Sequence, residues 1–527
     1  MSIPFRGFCG PSYQLTDKYA AIERTVGWHL VPNEHTREET KGDILHEPTP
    51  GNARFCTLPV PAPFNQPNRG LIECREGAYG VNGNVAFYID NAGNFTNLGN
   101  VVWNGNAVSP VSMVPNGNKQ IFVSDPPTGK GYVIGAAGAA STFTTIANAN
   151  FLGAAYSTFQ DGYILVVTPN TNQFQISGDD TNPIGDATIW SSSNVSIQAG
   201  MADLLRAILS NREYIRIFGY RRSQVYANTG AAGFPFQIYN DTFIETGLAA
   251  TFSVANLGDA GLMWIGQDAR GIRAAWIDPA MQPQRASTFA VEQAWESYAS
   301  IDDAVAFPYL WRGHLIYRIT FPSAKIDGLG NKTAATWEYD VTASQLTGLS
   351  IWTEQQHSNP QNYLVGRPEL YHCYAYGKHL VGSVGTDGNP GAIYQWSANQ
   401  YTDCGTDSLG NQVQKQIVRD RICPHLWESN HRLVYNKIEF EVARGVGLDG
   451  APGVGTNPQL YLAWSNDAGN SYGAWRNMAV GALAAYNQRV YFTRVGYARD
   501  RVFWARYSDP TYMAFVAATL DLFECAS

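Results

Sequence analysis

One unit keeps returning in this 527-residue chain: a short apolar run, a Gly/Asn/Asp turn, and a second apolar run. It is seen at 83–90, 119–124, 161–167, 212–219, 261–266, 313–318 and 377–382, often with a further strand behind it, as at 171–176 and 223–226. A hairpin of this kind cannot bury its own faces, so the repeats must stack on one another. The spacing of roughly 35–65 residues brackets the length of a β-propeller blade. Seven hairpins predict six or seven blades and leave open which hairpins share a blade.

Composition agrees with an all-β chain. There are 51 Gly, 29 Tyr and 14 Trp, and only 15% of residues are charged, whereas helical proteins of this size carry more Leu, Glu and Lys. Three regions follow: an arm or strap over 1–58, a β-propeller over 59–409, and a β-sandwich-like domain over 410–527. The first is polar and Pro-containing, with a charge cluster at 34–39, and suits an extended segment that orders against a neighbouring subunit. Segment 201–210 has helix-forming composition, but its place before a strand-turn-strand run favours a blade strand. Alternating strands at 434–442, 459–464, 489–495 and 501–507 predict the terminal sandwich.

Charge is unevenly spread. Residues 410–527 hold 12 Lys+Arg against 10 Asp+Glu, so the other 409 residues carry −10 of the net −8. Such a balance disfavours a protein that grips nucleic acid through a broad basic footprint. The opening Met1-Ser-Ile-Pro-Phe-Arg6 lacks the apolar core of a signal peptide. No run approaches the roughly 18 apolar residues of a membrane span. Synthesis in a reducing cytoplasm is the expectation, with Cys9, Cys56, Cys74, Cys373, Cys404, Cys423 and Cys525 as mostly buried thiols.

Several motifs invite chemistry and then lose it. Gly445-Val-Gly-Leu-Asp-Gly450 spells a dinucleotide fingerprint, but a Pro- and Gly-rich stretch follows where a helix would have to begin. His372, Cys373, His379, Cys404, Cys423 and His425 lack the paired spacing of a zinc site. Gly129-Lys-Gly131 lacks the rest of a P-loop, and there is no nucleophile elbow. No catalytic residue, cofactor or metal is therefore assigned. Two features of the terminal block remain. Ser465, Asp467, Gly469, Ser471 and Tyr472 fit the Asp-box hairpin, in which a short acidic side chain bonds the N–H groups of a tight turn. Sialidase propellers repeat that box, but here one good copy lies outside the propeller-like region, so a structural turn is expected. Arg489, Arg494, Arg499, Arg501 and Arg506 alternate with apolar residues. They suit subunit or domain contacts first, a solvated strand face that shields an edge second, and DNA phosphates last.

The Asp box followed by Arg494-Val-Gly-Tyr-Ala-Arg-Asp-Arg-Val-Phe503 resembles the C-terminal end of the packaged-DNA stabilization, or tail nozzle, proteins of short-tailed bacteriophages. Further matches run in order along the chain. They include Gly10-Pro-Ser-Tyr13, Glu23-Arg-Thr-Val26, Arg212-Glu-Tyr-Ile-Arg-Ile-Phe-Gly219, Gln282-Pro-Gln-Arg-Ala-Ser-Thr288, Thr336-Trp-Glu-Tyr-Asp340 and Gly377-Lys-His-Leu-Val-Gly382. Insertions around 136–150 and 325–335, and Gly27-Trp28, depart from the family pattern.

The resemblance implies a structural protein of the virion tail, made in the host cytoplasm. It implies a homo-hexameric ring below the portal-adaptor, in contact with tail needle, fibre or spike proteins. Genomic double-stranded DNA would pass through the lumen without sequence-specific binding, held in the head until ejection. An acidic lumen would repel the duplex and let it slide. The competing reading is a propeller-type glycan-binding or glycan-degrading phage tail protein.

Overall fold

The computed structural model describes residues 2–34, 41–75, 77–117, 119–178, 186–198, 203–231, 233–240, 242–268, 270–271, 273–279, 281–326, 332–429 and 431–524. Seven consecutive antiparallel sheets make the body. Blade 1 starts at Asn68–Cys74, blade 2 at Ser112–Pro115, blade 3 at Tyr156–Gln160 and blade 4 at Leu205–Asn211. Blade 5 starts at Gly247–Leu248, blade 6 at Val305–Trp311 and blade 7 at Glu369–Ala375. The innermost strands of neighbouring blades pack side by side, with Ala255–Asn256 serving for blade 5, and the first strand of blade 7 lies against that of blade 1, so the ring closes. This is a seven-bladed propeller. Both faces of each blade are covered by neighbours, so strands such as Tyr163–Val167 are nearly continuous apolar runs.

The turns follow from local chemistry. Asp161-Gly162, Arg312-Gly313 and Tyr376-Gly377 each join two strands through two residues with positive φ. That pairing is the type I′ geometry whose twist matches the strands, and glycine takes its second position without a Cβ penalty. The ambiguous segment resolves as strand Leu205–Asn211, paired with Tyr214–Gly219; residues 201 and 202 of that expectation lie outside the described residues.

The N-terminal region is extended, and its strands pair within this chain. Gly51–Arg54 is the outermost strand of blade 7, paired with Ile393–Ser397, so the two ends of the ring are stapled together. Ile22–Val26 pairs with Arg419–Ile422, and Trp28–Pro32 with Ile44–Pro48. Ser2–Pro4 pairs with the last strand, Phe515–Glu524. Most of the 34–39 charge cluster lies outside the described residues. The boundaries expected at 58/59 and 409/410 therefore do not follow the sheets. The propeller takes 51–54 and 68–397, and the sandwich takes strands from both ends of the chain.

Two sheets build that sandwich. One holds Trp28–Pro32, Ile44–Pro48, Phe515–Glu524, Leu433–Val442 and Val490–Ala498 in that order. The other runs from Ile22–Val26 through Arg419–Ile422, Asp500–Tyr507 and Gln459–Ser465 to Arg476–Ala479. It is continuous with blade 6 through a parallel bridge between Val26 and Glu354. Alternate residues of Leu433–Val442 point inward, with a change of phase at a bulge beside Asn436. The core between the sheets joins Phe440, Phe492, Phe503 and Phe515 to Phe5, Phe8, Ile22 and Trp28 from the N-terminal segment. Phe8 sits 5.2 Å from Phe440 and 5.4 Å from Phe515, ring centre to ring centre.

A buried ionic network fastens the two domains. Arg318 of blade 6 donates through Nε to Glu338 at 2.7 Å and lies 3.8 Å from Glu369 of blade 7. Arg367 bonds Glu369 at 3.1 Å and Asp403 at 2.6 Å. His29, from a sandwich strand, reaches Glu338 at 3.3 Å, while Asn52 from the blade-closing strand donates to Glu369. Burial alone would raise the Glu338 pKa, but Arg318 and hydrogen bonds from His29 and Tyr309 outweigh it and hold the carboxyl well below its ordinary value.

Candidate functional site

The terminal block brings its expected residues close together and gives them different tasks. Strand Gln459–Ser465 ends at the Asp-box turn, and Arg476–Ala479 leads away from it. Asp467 Oδ1 accepts from Ser465 Oγ at 2.6 Å and from the Ser471 N–H at 2.9 Å. Its Oδ2 accepts from Ser471 Oγ at 2.6 Å, and Ser465 Oγ also accepts the Gly469 N–H at 2.8 Å. Hydrogen bonds from Ser465 and Ser471 hold the Asp467 carboxyl down to about 2. Gly469 is left-handed, with φ +79°, and a Cβ there would fall 1.9 Å from Ile22 Cδ1. The turn thus packs on the N-terminal strand. Tyr472 meets Trp504 edge-on at 5.0 Å. These contacts hold the turn closed and seat it on Ile22 and Trp504.

The five arginines divide. Arg506 forms a two-point pair with Asp420 at 2.8 and 2.9 Å and lies over Trp475 and Trp504. Arg489 makes a similar fork to Glu439 at 2.7 and 2.6 Å on an exposed face. Arg501 is fully buried over Tyr435, donating to Asn466 Oδ1 at 2.8 Å and to the Val495 carbonyl at 3.0 Å. Burial pushes its pKa down to about 10. Arg494 and Arg499 face solvent. Arg494 has φ +55° and sits in a bulge where it and Val495 face Asn436.

The strand that carries Arg494 and is flanked by Arg489 and Arg499, Val490–Ala498, is the edge of its sheet. Two of its carbonyls accept arginine side chains: Thr493 from Arg476 at 2.8 Å and Val495 from Arg501. Capping by arginine and bending by a bulge are both ways to keep an edge from pairing with another chain. Arg476 was not singled out in the sequence. Its signal was its position four residues after Tyr472, opposite Leu462 in the next strand.

Arg318, Arg367 and Glu369 were also missed. Each is a charge set in or beside an apolar run, a phase in which a residue must be paired when buried.

Two cavities of the propeller bear on function. An axial one of about 240 Å³ is lined mainly by apolar side chains, including Leu71, Val111, Met113, Val254 and Leu370. Ser112 and Ser157 hydrogen-bond one another there at 2.8 Å. A space of about 240 Å³ is far too small for a duplex. A cleft of about 630 Å³ opens where blades 6 and 7 meet the blade 1–2 connection. No aromatic residue lines it, and its carboxylates, Asp302 and Asp303, are consecutive in the chain. Glycoside hydrolysis needs two carboxyl groups flanking one bond.

Among the described residues no group of three or more His, Cys, Asp or Glu could hold a metal ion, and no helix is long and apolar enough to cross a membrane. His372 and His379 face each other at 3.0 Å within an aromatic stack, and burial lowers His372 to about 3. Gly445–Gly450 is loop, with no helix after it. The described cysteines are free thiols, five of them buried and Cys9 partly so; Cys525 lies outside the described residues.

Comparison with known proteins adds the family. No curated protein matches the chain. Among solved structures, a streptogramin B lyase aligns at 9% identity and TM-score 0.37, over 66% of this chain and 97% of that one. The Pan2 WD40 domain of Neurospora crassa aligns at 10% identity and TM-score 0.37, over 66% of this chain and 94% of its own. The N-terminal domain of Nup159 gives 8% identity and TM-score 0.38, over 72% and 99%. Family models are far more specific. Residues 65–395 match the model described as bacteriophage P22 Gp10, beta-propeller, and residues 419–522 match its beta-sandwich. The chain belongs to the bacteriophage P22 Gp10 family of tail nozzle and stabilisation proteins, and is a structural protein of a phage tail.

Proposed function

We propose that this chain is a nozzle subunit whose copies form a homo-hexameric ring below the portal-adaptor. The ring extends the DNA channel, retains the packaged genome and permits its ejection. One observation carries this beyond family membership: the propeller axis is too narrow for a duplex, so any channel for DNA must run between copies. The −10 carried by the first 409 residues supports a lumen that repels phosphates and lets the duplex slide without sequence-specific binding. Exposed Arg494 and Arg499, with Arg489 at the other end of the same edge strand, would meet a neighbouring subunit, while the Asp-box hairpin keeps that block rigid. Tail needle, fibre or spike proteins would attach to the assembled ring. No residue is assigned a catalytic role.

The test is the mass of the purified chain alone and mixed with its portal–adaptor complex. A six-copy ring forming on the complex is expected, and Arg494→Glu with Arg499→Glu should weaken it. A chain that stays monomeric beside the complex would sink the proposal, as would turnover of surface glycans.

A further inference from the structure

The cleft between blades 6 and 7, at about 630 Å³, has the size of a small-molecule site. Its apolar lining includes Leu370 and Val384 from blade 7 and Val108 from the blade 1–2 connection. Its charges are unevenly matched. Arg367 reaches the cleft, but all five of its N–H groups are spent. They donate to Glu369 at 3.1 and 3.2 Å, to Asp403 at 2.6 and 3.0 Å, and to the Gln356 carbonyl at 3.4 Å. Asp302 and Asp303 lie in the loop before strand Val305–Trp311, Asp302 exposed and Asp303 half-buried. Oδ1 of Asp303 is shut off from solvent and accepts no hydrogen bond. Burial accordingly raises the pKa of that carboxyl. The other cation of the lining, Lys332, is exposed and acts on Asp303 through its charge alone. One oxygen of Asp303 is thus sealed in protein without a donor, and its charge has to be met from the cleft.

We propose that this cleft binds an alkylammonium group, with the ammonium at Asp302 and Asp303 and the hydrocarbon stem along Val108, Leu370 and Val384. An ammonium supplies the donors and the charge that the carboxylates lack, and a methylene stem suits the apolar wall. An anion fits poorly. It would meet two like charges, and the guanidinium lining the cleft has no N–H left to offer it. A free amine and a lysine side chain of another protein present the same group. The site does not depend on ring assembly.

Calorimetric titration of the full chain with pentylammonium chloride, at constant ionic strength, tests it. Saturable binding is expected, with pentanol and pentanoate each weaker by roughly tenfold or more. Asp303→Asn should weaken pentylammonium binding by roughly tenfold. Asp302→Asn, at an exposed position that leaves folding untouched, should weaken it by roughly threefold. Lys332→Ala removes a competing positive charge and should tighten binding. Pentylammonium that also dissolves a self-association of the chain would mark a lysine of a second copy as the natural source. Binding with no change in the mass of the chain would mark a free amine. The proposal fails without saturable binding, or if both aspartate variants bind as the parent does. It fails too if pentanoate binds as well as pentylammonium, or if Lys332→Ala weakens binding, since either would put recognition on Lys332.

Discussion

The propeller and the sandwich are built from the same kind of strand but assembled by opposite rules. Within the propeller, each blade is closed by strands that follow one another in the chain, except where Gly51–Arg54 completes blade 7. In the sandwich almost nothing is local. Ser2–Pro4 meets the strand ending at residue 524, and Phe5, Phe8, Ile22 and Trp28 fill a core whose other residues come from beyond 420. The opening 54 residues therefore serve both domains. They close one ring and supply Phe5, Phe8, Ile22 and Trp28 to the other core. Removing residues 2–54 breaks the comparison most severely. It should abolish the sandwich and open blade 7, with loss of near-ultraviolet circular dichroism and of a cooperative melt. A truncated chain that still melted cooperatively at the parent temperature would mean that the C-terminal strands fold without the N-terminal ones.

The two domains are also joined through charge, where the next largest effect should lie. Glu338 receives Arg318, Tyr309, Gln355 and His29 in a space almost without solvent. Glu338→Gln leaves Arg318 short of its counter-charge, a loss of about 3–5 kcal/mol by analogy with broken buried pairs. Because His29 belongs to the sandwich, the variant should also separate the unfolding of the two domains. Guanidinium titration followed by calorimetry would show two transitions in place of one. A single unshifted transition would show that the continuous sheet through Val26 and Glu354 carries the coupling alone.

What could be read from the sequence follows the same division. Blade hairpins announce themselves because partner strands are a few residues apart and X-Gly turns mark the join, as at Asp161-Gly162 and Tyr376-Gly377. The terminal sandwich was visible for the strands with strict alternation, such as Leu433–Val442. Most strands of 2–54 were hidden because they pair with strands from the far end of the chain, which leaves no local pattern, and a polar surround makes each look like coil. The arginines show a different limit. Alternation placed Arg489, Arg494, Arg499, Arg501 and Arg506 on strands, but the bulge at Arg494 changes the phase, and no periodicity distinguishes buried Arg501 from exposed Arg499. Burial of Arg318 and Glu338 depends on how blades 6 and 7 pack, which lies beyond any window of sequence.

A smaller effect separates the domains by pH. Asp387 of blade 7 is buried among Ser383, Tyr394 and the Asn389 N–H. Burial pushes its carboxyl up to about 6 despite those hydrogen bonds. The unfolded chain holds this proton only to about pH 4. The folded state therefore binds the proton more tightly between those values, and the contribution of this group to stability falls as pH rises through that window. Asp387→Asn removes the titration. The stability gap between parent and variant should move in the variant's favour by up to ~3 kcal/mol between pH 4 and 7. Equal pH slopes in urea melts would show that the site relaxes or admits water on ionising.

The smallest contrast lies within the sandwich, between two arginine forks of nearly equal geometry. Arg506 binds Asp420 beneath Trp475 and Trp504, and Asp420 is buried. Arg489 binds Glu439 in the open. Truncating Arg506 to Ala leaves a buried carboxylate that keeps a hydrogen bond from Trp504 Nε1 but loses its two-point partner, a loss of about 1–3 kcal/mol. Truncating Arg489 to Ala exposes Glu439 to water and to Lys437, already 2.9 Å away, so stability should not change measurably. The same Arg489→Ala variant can be scored for ring formation with the portal–adaptor complex. Unchanged melting with weakened assembly would assign Arg489 to the subunit contact. If both are unchanged, the fork is a solvated face that only shields the sheet edge.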